Sequence, residues 1–107
     1  MDSINNILHK FSVNPQTVTS FAEGGIGILY LLDNFQGKKA LLKIPAYSKR
    51  PSEEHWLLKH DLRKEAEILS YANIPVLPKL FAYDLNGEFL IRSYIEGETL
   101  QVIKGNL

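Results

Sequence analysis

Two charged residues stand where apolar ones belong. Lys43 is the one charged residue in the strand-like run Ala40-Leu41-Leu42-Lys43-Ile44. An ammonium at the centre of such a strand is costly to bury unless a carboxylate or phosphate meets it, or unless its face is solvated. Glu65 is the second. Projected at about 100° per residue, Leu58, Leu62, Glu65 and Leu69 fall within about 60° of one another, whereas Glu67 projects to the far side. Glu65 therefore shares the apolar arc of its helix, and an inward lysine on a neighbouring strand would satisfy it. A Lys43–Glu65 pair is expected.

A third feature is the run Phe21-Ala22-Glu23-Gly24-Gly25-Ile26-Gly27-Ile28-Leu29-Tyr30. Glycines at a tight turn between two strands let backbone amides approach a phosphate with no Cβ in the way. The same glycines also suit a plain hairpin that needs positive φ. The histidines do not form a metal set: His9 lies far off in the sequence, and His55 and His60 splay around their helix rather than sharing a face. Surface positions are expected for all three, and a packing role for Trp56. No Ser/His/Asp grouping stands out.

The elements that must position these residues follow from periodicity and punctuation. A first helix, capped by Asp2 or Ser3, repeats Ile4, Ile7, Leu8 and Phe11 on one face and is expected to stop at Asn14-Pro15. Thr17 to Phe21, Ile26 to Leu32 and Ala40 to Ile44 read as three antiparallel strands. Their connections are Glu23-Gly24-Gly25 and Asp33-Asn34-Phe35-Gln36-Gly37. Pro45 to Ser52 is a loop. Ser52, followed by Glu53 and Glu54, should cap a long helix that ends near Ala72, before Asn73-Ile74-Pro75. Leu80 to Tyr83 and Phe89 to Ser93 form a second hairpin around the two-residue turn Asn86-Gly87. Leu100 to Leu107 starts a further helix. The expected class is α+β: a five-stranded antiparallel sheet, one long packed helix and a short amino-terminal helix.

Composition bounds the rest. The 107 residues fit one small domain, and 12 basic residues balance 12 acidic ones, which argues against an electrostatic nucleic-acid binder. With no cysteine there is no disulfide scaffold, thiolate zinc site or cysteine nucleophile. Hydrophobic residues make up 45%, too many for a disordered chain. The amino terminus lacks the pattern of a signal peptide, and no apolar run nears the ~18–20 residues that span a bilayer. A cytoplasmic location with no membrane span is expected.

Taken in order, these features resemble the amino-terminal, ATP-binding lobe of the protein-kinase family over roughly Thr17 to Leu100. Gly24-Gly25-Ile26-Gly27-Ile28-Leu29-Tyr30 resembles the family's glycine-rich loop and Ala40-Leu41-Leu42-Lys43 its third-strand lysine motif. Glu65-Ala66-Glu67-Ile68-Leu69 is similar to its helix-C glutamate motif, and Phe89 to Leu100 to its fifth strand and hinge. The resemblance divides the chain into an amino-terminal helix and linker (1–15), the lobe (16–97) and the start of the segment after the hinge (98–107).

The resemblance implies roles for single residues. The backbone around Ala22, Gly24, Gly25 and Gly27 would cover the ATP phosphates. Lys43 would contact the α- and β-phosphates, with Glu65 holding it in place. Leu29 and Ala40 would pack on adenine, and the backbone of Ser93 and Ile95 would bond its edge, with Tyr94 and Gly97 shaping the hinge. Ala22 stands at the family's first loop glycine, which stiffens the loop without removing its amides. Arg92 stands at the gatekeeper, usually apolar or small and polar. Either the alignment shifts by one residue there, or the pocket is unusual. The stretch Ala72 to Pro78 and the ending Tyr-Ile-Glu-Gly-Glu-Thr-Leu resemble divergent bacterial, RIO-like and lipopolysaccharide-kinase-like branches more than typical eukaryotic kinases.

The family's catalytic-loop aspartate and metal-binding aspartate belong to a carboxy-terminal lobe. The sequence given stops past the hinge, so magnesium binding and phosphoryl transfer from ATP to a hydroxyl are expected only with that lobe. Such a lobe, or a partner protein, would cover an apolar hinge-side face near Leu90, Tyr94, Ile95 and Leu100. The alternative is a stand-alone lobe that acts as a non-catalytic binding module, docking on a partner kinase or self-associating. A structural domain in which the glycines are only turns is the third reading.

Overall fold

A computed structural model describes residues 2–23, 27–71 and 77–94. The first helix, α1 (Asp2–Lys10), turns its apolar repeat inward, burying Ile7 and Leu8. Its end is local. Val13 N–H donates to the Leu8 carbonyl at 2.8 Å and Ser12 N–H to that of His9 at 3.1 Å, with Ser12 at φ 57°. This is a Schellman-type closure, with Val13 packing into the same core as Leu8. The helix therefore ends before Asn14-Pro15, which were expected to stop it. Asn14 instead caps a one-turn 3-10 helix, Pro15–Thr17, by accepting from Gln16 N–H at 3.0 Å.

Strands β1 (Val18–Glu23), β2 (Gly27–Phe35) and β3 (Lys38–Pro45) form the antiparallel meander. The β2–β3 connection is shorter than the expected five residues. Gln36 and Gly37, at φ 53° and 85°, make a two-residue turn, and Phe35 pairs with Lys38. Both central residues at positive φ define the turn whose twist matches the strands it joins. Asn34 Oδ1 accepts from Gly37 N–H at 2.8 Å.

Ser52 does not cap the long helix. Residues Ser52–Glu54 form a 3-10 turn with Pro51 at its cap position, and α2 (His55–Tyr71) follows. Strands β4 (Leu80–Tyr83) and β5 (Leu90–Ser93) complete the sheet in the order β1-β2-β3-β5-β4, every pairing antiparallel. The β4–β5 turn is also not the expected Asn86-Gly87 pair. Asp84 organises it, accepting from Gly87 N–H at its carbonyl (3.0 Å) and from Asn86 N–H (2.9 Å) and Glu88 N–H (3.2 Å) at Oδ2.

Helices cover both faces of the sheet. On one face, Ile7, Leu8 and Val13 pack against Leu32, Phe35, Ala40, Leu42, Phe89 and Ile91. On the other, α2 inserts Leu62 and Ala66 over Leu90, with Leu80 beside them. Leu58, Leu62 and Ala66, four residues apart, are the buried stripe of α2. The α+β architecture is the one expected: a five-stranded antiparallel sheet, a long helix and a short amino-terminal one. Among the described residues, no helix is long and apolar enough to cross a membrane.

Candidate functional site

Lys43 lies near the middle of the sheet. Its Cα partners are Leu29 on β2 and Leu90 on β5. Directly opposed residues of antiparallel strands share a face, so these three project toward α2. There Lys43 Nζ donates to Glu65 Oε1 at 2.9 Å, with the two side chains 17% and 30% exposed. The expected pair is present, and the arc argument explains it: Glu65 sits at the edge of the stripe made by Leu58, Leu62 and Ala66. Glu67 is exposed on the far side. The ammonium has three donor directions, and Glu65 takes one, leaving the others for an anion.

Gly27 presses on this lysine. A Cβ built there would lie 3.1 Å from Lys43 Cε, 3.3 Å from Lys43 Cγ and 3.1 Å from the Ile44 carbonyl. The missing side chain lets the start of β2 close over the lysine stem. Ala22 pairs with Leu29 across β1 and β2. Gly24, Gly25 and Ile26, between these strands, lie outside the described residues, as do Ile95, Gly97, Ala72 and the segment 98–107.

The structure separates Ala40 from the group with which it was placed. Ala40 is three residues from Lys43 on the same strand, so it projects to the opposite face. It is fully buried there among Leu32, Leu42 and Ile91. Leu41, two residues from Lys43, occupies the Lys43 side and is also fully buried. Strand parity alone could have picked Leu41 over Ala40.

Arg92 opposes Leu41 on β3 and Leu80 on β4, so the strand pairing puts it on the Lys43 face. Its Nη1 donates to the Ser93 carbonyl at 3.0 Å. Ser93 is tied down further: its N–H donates to the Lys79 carbonyl at 2.8 Å, and its Oγ accepts from Lys79 N–H at 2.9 Å. The Ser93 N–H is thus engaged within the protein, and its carbonyl already accepts one bond. Tyr94 N–H reaches the Lys39 carbonyl at 3.2 Å, and Lys39 Nζ lies 5.3 Å from the Tyr94 ring centre.

A brace behind α2 was not foreseen. Tyr47 Oη donates to Glu88 Oε1 at 2.6 Å, and Lys59 Nζ meets Glu88 Oε2 at 3.2 Å. The Tyr47 ring packs on His55 with centres 4.6 Å apart. His55 Nε2 lies 3.1 Å from the Tyr47 carbonyl and 3.0 Å from that of Arg50. Burial, then the bond to Glu88 and the charges of Glu88 and Asp84, push the Tyr47 phenol well above the usual tyrosine range. His55 is therefore half-buried rather than at the surface, whereas His9 and His60 are exposed. Trp56, expected to pack, is 62% exposed on α2. Tyr47 and Glu88 are far apart in the chain, and no local pattern announces their contact.

One further expectation changes. Leu90 is fully buried beneath α2, so it is not part of an exposed hinge-side face. Among the described residues, large exposed apolar side chains include Trp56, Leu57, Ile68 and Tyr71 on α2, Leu77, and Tyr83 and Leu85 around the β4–β5 turn. Ile95 and Leu100 of the expected face lie outside the described residues. No family model matches this chain, and no curated protein matches it either.

Proposed function

We propose that this chain is the nucleotide-binding lobe of a protein-kinase-like phosphotransferase, with ATP as the ligand. The observation that carries the reading is the 2.9 Å Lys43–Glu65 pair under the Gly27 edge of β2. A lysine held by a helix carboxylate, beside a strand edge with no side chain, is an arrangement suited to phosphate oxygens. In this reading Lys43 meets the α- and β-phosphates, Glu65 holds the ammonium, and the backbone of the Ala22 to Gly27 connection covers them. Leu29 and Leu41 supply the apolar floor on the same face. Lys43 and Glu65 bind and orient. Phosphoryl transfer to a hydroxyl further needs a metal-binding carboxylate and a base, which the family resemblance assigns to a second lobe.

The test is titration with a fluorescent ATP analogue. Lys43→Met is expected to weaken binding by about tenfold, the size of a lost charge-assisted bond. Glu65→Gln, which keeps a hydrogen-bond acceptor, is expected to weaken it less. Equal affinity in the wild type and Lys43→Met overturns the reading.

A second reading is favoured by a separate observation. Trp56, Ile68, Tyr71 and Leu85 are 62%, 59%, 80% and 78% exposed, and Leu57, Ile68 and Tyr71 fall within about 60° on the outer side of α2. Exposed apolar residues gathered in this way mark a protein contact. A Lys43→Met titration that matches the wild type, together with sedimentation that shows self-association, would make the chain a non-catalytic docking module instead.

A further inference from the structure

We propose that the aromatic slot beside the β2–β3 turn binds a small aromatic carboxylate. The slot has a volume of about 260 Å³ and is lined by Phe11, Phe35, Gln36, Lys38 and Phe81. It belongs to the α1 side of the sheet, whereas Lys43 and Glu65 lie on the α2 side, so it does not rest on the nucleotide reading.

Three rings shape the slot. Phe35 and Phe81 are stacked, with centres 5.8 Å apart and planes 6° from parallel, and Phe11 tilts against Phe35 at 5.6 Å. Ring faces and edges of this kind accept another flat ring in offset or edge-on contact. A dry cavity of about 150 Å³ holds benzene, so the available volume suits a single ring or a fused pair.

The rim supplies the charge preference. Lys38 lines the slot, and its Nζ stands 5.6 Å from the Phe81 ring centre. Lys10 Nζ stands 5.8 Å from the Phe11 centre and 5.7 Å from that of Phe89. Among the described residues, neither ammonium has a carboxylate within ion-pair distance. The chain as a whole carries no net charge, so this is a local excess around an apolar opening. The Gln36 amide adds neutral donors at the same rim. A ring carrying a carboxylate meets the rings, the Lys38 ammonium and the Gln36 amide, whereas an aromatic amine would face the Lys38 cation.

The experiment is an NMR titration of the chain with indole-3-acetate, with neutral indole-3-acetamide as its isostere. Saturable shifts centred on the amides of Phe35, Gln36, Gly37 and Lys38 are expected, with half-saturation at about 1 mM. The acetamide is expected to bind about fivefold more weakly, as a partly exposed ion pair predicts. Lys38→Gln, at an exposed strand start, should leave the fold intact and make the two ligands bind equally. Gln36→Asn should keep the turn, since Asn-Gly favours it, yet weaken binding by shortening the amide. The proposal is overturned by an absence of saturation, by shifts centred elsewhere, by equal binding of acetate and acetamide to the wild type, or by discrimination that survives Lys38→Gln.

Discussion

The side of the sheet under α1 is a continuous apolar cluster, rich in phenylalanine. The side under α2 holds a smaller cluster around Leu62, Ala66 and Leu90, and beside it an ion pair and a glycine edge. Burial of apolar area dominates stability, and both sides contribute fully buried side chains, Leu32, Leu42 and Ile91 on the first and Leu41, Leu62 and Leu90 on the second. The second side places a charged pair where packing alone would favour hydrocarbon. An ion pair of this exposure adds little to stability, because the charges lose hydration to make it. In the proposed reading the nucleotide meets the α2 side at the ion pair and the glycine edge, so a change confined to Lys43 or Glu65 alters that binding without removing a core side chain.

The largest break in this contrast should come from Leu42, fully buried on the α1 side. Leu42→Ala is expected to cost about 3 kcal/mol in urea unfolding, through lost burial and the cavity left behind. The neighbouring Lys43→Met should cost about 1 kcal/mol or less while removing most nucleotide affinity. Equal costs for the two would erase the proposed division.

A smaller and more local effect is expected at the β4–β5 turn. Gly87 has φ +78°, and a Cβ there would lie 2.3 Å from the Lys59 carbonyl oxygen. Gly87→Ala must therefore move α2 or the turn, at a cost of about 2 kcal/mol. Hydrogen exchange should speed up in α2 before it does in β2 and β3. Uniform acceleration would show that the turn does not support α2 in particular.

The smallest effect concerns pH. The folded Tyr47 phenol holds its proton above the usual tyrosine value of 10.0, chiefly because it is buried and bonded to Glu88. A raised folded pKa gives stability that is complete below the unfolded value and is lost as pH climbs beyond it. Stability should therefore fall with rising pH from about 10 upward. Tyr47→Phe should cost about 1 kcal/mol at neutral pH and flatten that alkaline decline. An unchanged slope would remove Tyr47 as its source.

The pair at the candidate site was legible because two periodicities point at each other. Lys43 interrupts an apolar strand, and Glu65 interrupts the apolar arc of a helix. Ala40 was placed against adenine by the family resemblance alone, although the alternation of the strand puts it on the other side from Lys43. The two turns exchanged characters. Asn86-Gly87 carries the stronger two-residue signal, yet Asp84 captures three amides and spreads that turn over more residues. Gln36-Gly37 carries the weaker signal, yet the pairing of Phe35 with Lys38 enforces the tight geometry. Local propensity was overridden in both cases by partners nearby in space. Tyr47, Glu88 and Lys59 come from three separate elements, and their contact follows from the fold alone. Trp56 was expected to pack, but it projects about 160° away from Leu58 around α2.

The closeness of Gly87 to Lys59 has a mechanical meaning. The Lys59 carbonyl already stands so near the turn that a single added methyl would collide with backbone atoms, and the Lys59 side chain ties the same turn through Glu88 at 3.2 Å. With glycine at this position the helix can sit close to the turn, and the Lys59–Glu88 salt bridge holds it there. The spacing between α2 and the sheet, and with it the reach of Glu65 toward Lys43, is thus set in part by a residue that has no side chain.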